Sequence, residues 1–469
     1  MYVQRYYLEC LSHASYLIAD EVSKEAVVID PQRDIEIYVE DARQHGFEIK
    51  HVILTHFHAD FVAGHIEIRD RFGAKIYLGQ HAEADFEFES LSDGSVIELS
   101  TGRLEALETP GHTPEGISML LFDDEHDGAE PRIIFTGDTL FVGDVGRPDL
   151  MASIGFTAQE LAESLYDSLH TKVMQLPDET IVYPAHGAGS MCGKNLGDEA
   201  FSTIGEQRQY NYALQPMERD EFVEMVTMNL PEAPAYFGHD AMLNRQERSS
   251  LDKSMQRALR KLDREQFLEL RDNGAQVLDV RSVIDFAGRH LTEAINVDID
   301  GRFASWVGTI LDPDQTIIVV ADDDRVDEAI MRLGRIGFDN VQGYLEQGME
   351  AFRDTPQLLS SIQRISAPAL CELDGNSSDV HILDVRNLPE REAGYLEGSQ
   401  HIPLGELRQR LAEVPDSGTL VVHCQGGYRS SIAASLLQRD GRDNVIDLVG
   451  GFQAWSVSKL PIATVSENN

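Results

Sequence analysis

Thr55-His56-Phe57-His58-Ala59-Asp60-Phe61 is the stretch on which the reading of this chain turns. It follows the apolar run His51-Val52-Ile53-Leu54 and is bounded on the far side by Gly64. It therefore reads as a buried strand ending in a loop of metal-capable side chains. Residues i and i+2 of an extended chain point the same way, so His56 and His58 can face one cavity. Two imidazoles and a carboxylate so close together are costly in an apolar core. Each polar atom needs a partner, and Asp60 needs charge compensation. A metal ion supplies that compensation.

The pattern recurs. Gly111-His112-Thr113 follows the run Leu104 to Thr109, Thr136-Gly137-Asp138-Thr139 follows Arg132 to Phe135, and Tyr183-Pro184-Ala185-His186-Gly187 follows Ile181-Val182. Each time a strand-like run delivers a His or Asp to its C-terminal end. This order of elements resembles the metallo-β-lactamase superfamily over residues 1–245. The two-metal hydrolases of that superfamily read His-x-His-x-Asp-His, and their last His helps to hold a second zinc. Here that place is Phe61, which cannot ligate.

Within the superfamily the persulfide dioxygenases use one iron. The resemblance implies His56, His112 and Asp138 as its ligands, one Fe(II) per domain. His58, Asp60 and His186 would then orient those ligands and tune the metal. Two His and one carboxylate with open positions is also, by itself, the facial-triad chemistry of non-haem Fe(II) oxygenases. The Gly-rich loop Phe141–Asp149 carries Arg147, and the resemblance implies that this Arg holds the thiol cosubstrate by a forked contact to an anion. Cys192, close in sequence to His186, is a candidate to contact the persulfide. An inert packing role is the alternative for it.

The chain has 469 residues, of which 42% are hydrophobic, enough for about three domains with buried cores. Its formal net charge is −41, from 80 acidic and 39 basic residues, which argues against binding nucleic acid or anionic membranes. The acid is spread along the chain, as on the surface of a protein from a salty cytoplasm. No run approaches the ~20 apolar residues of a membrane span, and the N-terminus lacks a signal peptide's apolar segment. A cytoplasmic protein is expected. Four cysteines, Cys10, Cys192, Cys371 and Cys424, with no C-x-x-C, make neither a disulfide framework nor a zinc knuckle. Residues from Glu206 to about Arg260 read as closing helices and a linker, broken by Pro216, Pro231 and Pro234.

The remainder is an internal repeat. Val277-Leu278-Asp279-Val280-Arg281 recurs as Ile382-Leu383-Asp384-Val385-Arg386. Thr316–Val320 pairs with Thr419–His423, and Gly348–Phe352 with Gly451–Trp455. Each unit alternates strand and helix, which argues for a small parallel-sheet α/β domain. Both units resemble rhodanese domains, placed at 246–357 and 358–469. In the second, an apolar strand ends on Cys424, followed by Gln425-Gly426-Gly427-Tyr428-Arg429 and a helix. Backbone N–H groups, the helix dipole and Arg429 would all stabilise a thiolate there. The spacing C-x4-R is shorter than the C-x5-R of related phosphatases and suits a terminal sulfur atom. In the first unit the aligned residue is Ala321, followed by Asp322-Asp323-Asp324, so no nucleophile is expected.

The expected fold is thus an α/β chain, a metallo-β-lactamase αββα sandwich followed by two rhodanese-like domains. The whole resembles persulfide dioxygenase–rhodanese fusions. That resemblance implies oxidation of a low-molecular-weight thiol persulfide by O2 to sulfite, with sulfur transfer on Cys424 giving or using thiosulfate. Two other readings stay open: a zinc thioester hydrolase of glyoxalase II type fused to a sulfurtransferase, and a sulfur-carrier module without oxygen chemistry. Exposed domain faces lead to the expectation of a homo-oligomer.

Overall fold

Residues Glu25–Ile29 show why the first unit is layered. Along this strand Ala26 and Val28 enter one apolar core and Val27 and Ile29 another, and all four are buried. A strand apolar on both faces must lie between two layers. In the computed structural model, which describes the chain except residues 127, 151–154, 229, 231–232, 375–378 and 465–469, it does. Pro231 lies outside the described residues.

The chain divides into two compact units, Met1–Lys253 with Gly334–Gly337, and Ser254–Leu333 with Phe338–Asn469. The first holds two six-stranded sheets. One runs, in spatial order, through Tyr2–Leu8, His13–Ala19, Glu25–Ile29, Glu48–Ile53, Lys75–Gly79 and Glu89–Leu91. The other runs through Ser202–Thr203, Ile181–Pro184, Ile133–Gly137, Ile117–Asp123, Gly102–Glu108 and Val96–Leu99. Their facing sides share one core, with Tyr16, Ile18 and Ile53 from the first sheet against Leu104, Met119 and Phe135 from the second. Helices Glu36–His45 and His65–Phe72 cover the first sheet's outer side, through Tyr38, Ala42 and Ile66. Helix Ala158–Asp167, opened by a capping box of Thr157 and Glu160, covers the second through Ala162 and Leu165. This is the expected αββα sandwich.

The sequence pattern predicts a helix from Phe61. The helix begins at His65 instead, because residues 58–63 are held open by the buried side chain of Asn244. Its amide donates to the carbonyls of His58 and Phe61, both at 2.8 Å, and its Oδ1 accepts from Ala63 N–H.

The second unit contains two parallel five-stranded sheets of the same order. The first is Lys261–Leu262, Val341–Leu345, Ile317–Val320, Gln276–Asp279 and Ile295–Asn296. The second is Gln363–Ile365, Val445–Leu448, Thr419–His423, Val380–Asp384 and Gln400–His401. Registers match too, Asp279 opposite Val320 and Asp384 opposite His423. Among the described residues no helix is long and apolar enough to cross a membrane.

Candidate functional site

In the first unit the strand ends converge on one buried cluster. His56, His58 and Asp60 lie on the loop after Glu48–Ile53, His112 on the loop after Gly102–Glu108, Asp138 directly after Ile133–Gly137, and His186 just after Ile181–Pro184. Gly137 makes the approach possible. It sits at φ 52°, and a Cβ there would meet Thr55 Oγ1 at 2.4 Å.

Asp138 is the hub. Its Oδ2 lies 3.7 Å from His56 Nε2 and 3.4 Å from His112 Nε2, while Oδ1 lies 3.6 Å from His186 Nε2. Both carboxylate oxygens are buried and, among the described residues, neither has a hydrogen-bond partner of good geometry. Ligands about 2.1 Å from one ion stand roughly 3.0–3.5 Å apart, so the cluster has the size of a coordination sphere. The ring nitrogens on the far side fix the tautomers. Thr55 Oγ1 donates to Asp30 Oδ2 at 2.8 Å and therefore accepts from His56 Nδ1–H at 3.0 Å. His112 Nδ1–H donates to the Arg147 carbonyl at 2.9 Å and His186 Nδ1–H to the Ser12 carbonyl at 3.1 Å. With these tautomers all three Nε2 lone pairs point inward. Burial, reinforced by His58 and His112, holds His56 well below its ordinary pKa, in the neutral form that ligates.

His58, Asp60 and His186 form a second assembled group, with ligand atoms within 4.8 Å of one another. Burial disfavours the charged form of His58, but the Asp30 carboxylate 3.1 Å away overrides it and raises its pKa. Burial also raises the Asp60 carboxyl. Phe61 fills the neighbouring space, its ring 4.4 Å from that of His58 and 4.0 Å from that of His13. A small pocket opens over His56, His112 and Asp138, walled by Thr109, Thr113 and Thr139. The buried Cys192 joins Asp138 and His186 within the same 4.8 Å limit. Burial raises its thiol pKa, as do the Asp60 and Asp138 carboxylates. Arg147 is beside the cluster, but its fork is filled by Asp149, with both bonds at 2.7 Å.

Three supporting residues lie outside the motifs read above. Asp30, at φ 50°, takes Thr55 N–H and Oγ1–H. Asn244 holds the metal loop. His13 is buried, and among the described residues neither ring nitrogen has a hydrogen bond of good geometry. The only sequence signal for Asp30 was its place before Pro31 at a strand end; Asn244 and His13 carried none.

In the second unit Cys424 directly follows strand Thr419–His423, and Gly427, at φ 106°, aims its N–H at Sγ from 3.1 Å. Helix Tyr428–Arg439 follows. Arg429 forks onto Glu390, both bonds at 2.6 Å, and not onto the sulfur. At the matching place in the first repeat, Ala321 is buried and Asp322 follows. Partial burial holds Asp322 above its usual pKa range, helped by Asp285, Asp279 and Asp324 and opposed by Arg281.

A metal-binding sandwich followed by two rhodanese-type repeats is what fold and site define, and known proteins agree. The metallo-beta-lactamase superfamily matches residues 8–186, and the rhodanese-like domain matches residues 263–355 and 369–458. The chain is 33% identical over 227 residues to the mitochondrial persulfide dioxygenase ETHE1 of Bos taurus, covering 46% of this chain and 78% of that one. It is 29% identical over 217 residues to the hydroxyacylglutathione hydrolase GloC of Haemophilus influenzae, covering 42% of this chain and 89% of that one. The crystal structure of a metallo-beta-lactamase from Staphylococcus aureus subsp. aureus COL superposes with a TM-score of 0.65 at 30% identity, over 74% of this chain and 98% of that one. The chain belongs to the metallo-beta-lactamase superfamily, as a fusion of that domain with two rhodanese-like domains.

Proposed function

We propose that the protein is an iron-dependent persulfide dioxygenase coupled to a sulfurtransferase, taking a low-molecular-weight thiol persulfide and O2 to sulfite. The observation that carries this reading is the Asp138 carboxylate, buried between two inward Nε2 atoms and, among the described residues, without a well-formed hydrogen bond, with Phe61 where a second-metal ligand would stand. His56, His112 and Asp138 would hold one Fe(II), which when bound would relay electrons from the persulfide sulfur to O2 and so let ground-state O2 react with closed-shell sulfur. The chain's own residues do the rest. Thr55 and the carbonyls of Arg147 and Ser12 fix the imidazoles, and Thr109, Thr113 and Thr139 wall the pocket. Cys192, kept as a neutral thiol by burial, faces the cluster as a weak S–H donor to an incoming sulfur anion. Cys424 would carry a sulfane sulfur and exchange it with sulfite as thiosulfate. A cytoplasmic setting fits the reduced cysteines.

The test is oxygen uptake and sulfite release by anaerobically iron-loaded protein given a panel of thiol persulfides. Uptake with stoichiometric sulfite is expected, and Asp138→Ala should lose both metal and uptake. No uptake from protein shown to hold iron would overturn the reading. The assembled His58, Asp60 and His186 group favours a second reading, a zinc thioester hydrolase. Two zinc ions per chain, with thioester cleavage and no oxygen uptake, would establish that instead.

A further inference from the structure

Behind Cys424 lies a chain of groups that sulfur binding does not require. Cys424 Sγ is 3.7 Å from Ser430 Oγ, and Ser430 Oγ is 2.6 Å from Asp447 Oδ1. Asp447 Oδ2 accepts from Arg364 Nε at 3.0 Å. Cys424, Ser430 and Asp447 are all buried, at 1%, 0% and 1% exposure. The three come from different elements: the end of strand Thr419–His423, the first turn of helix Tyr428–Arg439, and strand Val445–Leu448.

Ser430 has one proton to give. At 2.6 Å it goes to Asp447 in preference to the Gly427 carbonyl at 3.2 Å. Its oxygen can then only accept from Cys424 S–H. Moving two protons one step along the line reverses every bond. Asp447 becomes a carboxylic acid donating to Ser430, and Ser430 donates to a Cys424 thiolate that also receives Gly427 N–H. Both arrangements carry one negative charge on the dyad, so a thiolate forms without giving up a proton to solvent. Burial raises the Asp447 pKa, against Ser430 and Arg364, so the carboxylate is a competent proton acceptor.

We propose that Ser430 and Asp447 form a proton relay for Cys424, with the thiol and the carboxyl sharing one proton through the serine hydroxyl. This rests on the reading of Cys424 as a sulfur carrier and adds the source and sink of its proton. When a sulfite acceptor attacks the loaded persulfide, its lone pair forms a bond to the terminal sulfur. The Cys424–sulfur bond breaks and its electron pair stays on Sγ, releasing thiosulfate. The Sγ anion takes the Ser430 proton as Ser430 takes that of Asp447. The other charges around the site are committed elsewhere: Arg429 to Glu390, and Arg386 to Asp384. His423, pushed down to about 4 chiefly by burial, is neutral, with Nδ1–H on the Cys424 carbonyl.

The experiment is the pH profile of Cys424 alkylation by iodoacetamide in the full chain, read by peptide mass spectrometry, which needs no sulfur-transfer activity. A shared proton predicts two steps, a plateau near neutrality and a rise at high pH. Ser430→Ala, which leaves the Asp447–Arg364 pair in place, should remove the plateau and slow alkylation at pH 6 by at least about tenfold. Asp447→Asn should do the same, and Ser430→Thr, which keeps the hydroxyl, should retain the plateau. A single-step profile in the wild type, or variants that keep the plateau or only scale the whole curve, would overturn the relay. If Cys424 shows the relay yet transfers no sulfur, the carrier reading fails while the proton chemistry stands.

Discussion

The two rhodanese-like repeats share strand order, register and their most buried ion pair. Arg281 forks onto Asp279 and Arg386 onto Asp384, with Nε–Oδ1 distances of 2.9 Å in each. Yet one central strand is followed by Ala321 and the other by Cys424. The scaffold therefore persists without the nucleophile, and the difference is confined to the turn. Ala321-Asp322-Asp323-Asp324 replaces Cys424-Gln425-Gly426-Gly427, so a row of carboxylates stands where the second repeat offers a left-handed glycine and its N–H. Fold and nucleophile are therefore separable features of this architecture.

The largest effect expected of any change tests that separation. Cys424→Ser should abolish sulfur transfer from thiosulfate or persulfide while leaving oxygen uptake at the metal domain. Adding Ala321→Cys to that variant should restore nothing. Asp324 occupies the place of Gly427, and a side-chain-bearing residue adopts a φ near 106° only at a cost. The carboxyl of Asp322 would also repel a sulfur anion. Transferase activity in the double variant would show that the nucleophile alone separates the repeats.

The same comparison shows what a sequence can reveal. Both repeats, the sandwich and the ends of the metal-bearing strands follow from local patterns, because strand periodicity and a His or Asp just past an apolar run are short-range signals. The partners of those residues do not. Asp30 reaches Thr55, Ser12 reaches His186, and Asn244 holds His58 and Phe61 across 186 and 183 residues. Such pairings exist only after packing. Arg147 reads as a fork for a substrate anion and Arg429 as a charge that stabilises the Cys424 thiolate, yet Asp149 and Glu390 fill their guanidinium forks. Asp149 stands two residues from its Arg and could have been weighed; Glu390 reaches Arg429 from 39 residues earlier in the chain. The late start of helix His65–Phe72 has the same origin, a tertiary clamp overriding a local helical signal.

A smaller effect concerns the residue before each turn, Val320 in one repeat and His423 in the other. His423 is buried, and its pKa is lowered to about 4, mainly by burial. Folded protein thus binds this proton less readily than unfolded chain. The contribution to stability is complete above about pH 6.5 and is lost as pH falls toward 4, amounting to about 3 kcal/mol. His423→Val, which makes the second repeat like the first, should remove that part of the acid limb. Urea unfolding at pH 8 and pH 4.5 measures it. Wild type and variant curves that stay parallel between the two pH values would mean that His423 does not titrate on unfolding.

The smallest effect separates two glycines, one in each repeat, that follow the corresponding edge strands Ile295–Asn296 and Gln400–His401. Gly301 lies in the first repeat, and a Cβ there would stand 2.0 Å from Tyr428 Cε2 and 2.3 Å from Cζ. Tyr428 is pinned by its own hydroxyl, which donates to the Asp298 carbonyl at 2.7 Å, so the ring cannot swing aside without breaking that bond. Gly405, in the second repeat, has only Thr309 Cγ2 near it, at 4.0 Å. Gly301→Ala should therefore cost about 1–3 kcal/mol by overpacking. Gly405→Ala, in the helix Leu404–Leu407, should be neutral or slightly stabilising, within about 0.5–1 kcal/mol. Tyr428 directly follows Gly427, so the strain from Gly301→Ala should also displace the N–H that meets Cys424 and slow its alkylation. Equal unfolding midpoints for the two variants would mean that the first repeat does not brace the Cys424 turn. A cost seen only at Gly301, together with slowed alkylation, would give the repeat that lacks a nucleophile a physical role: it holds the active turn of its neighbour in place.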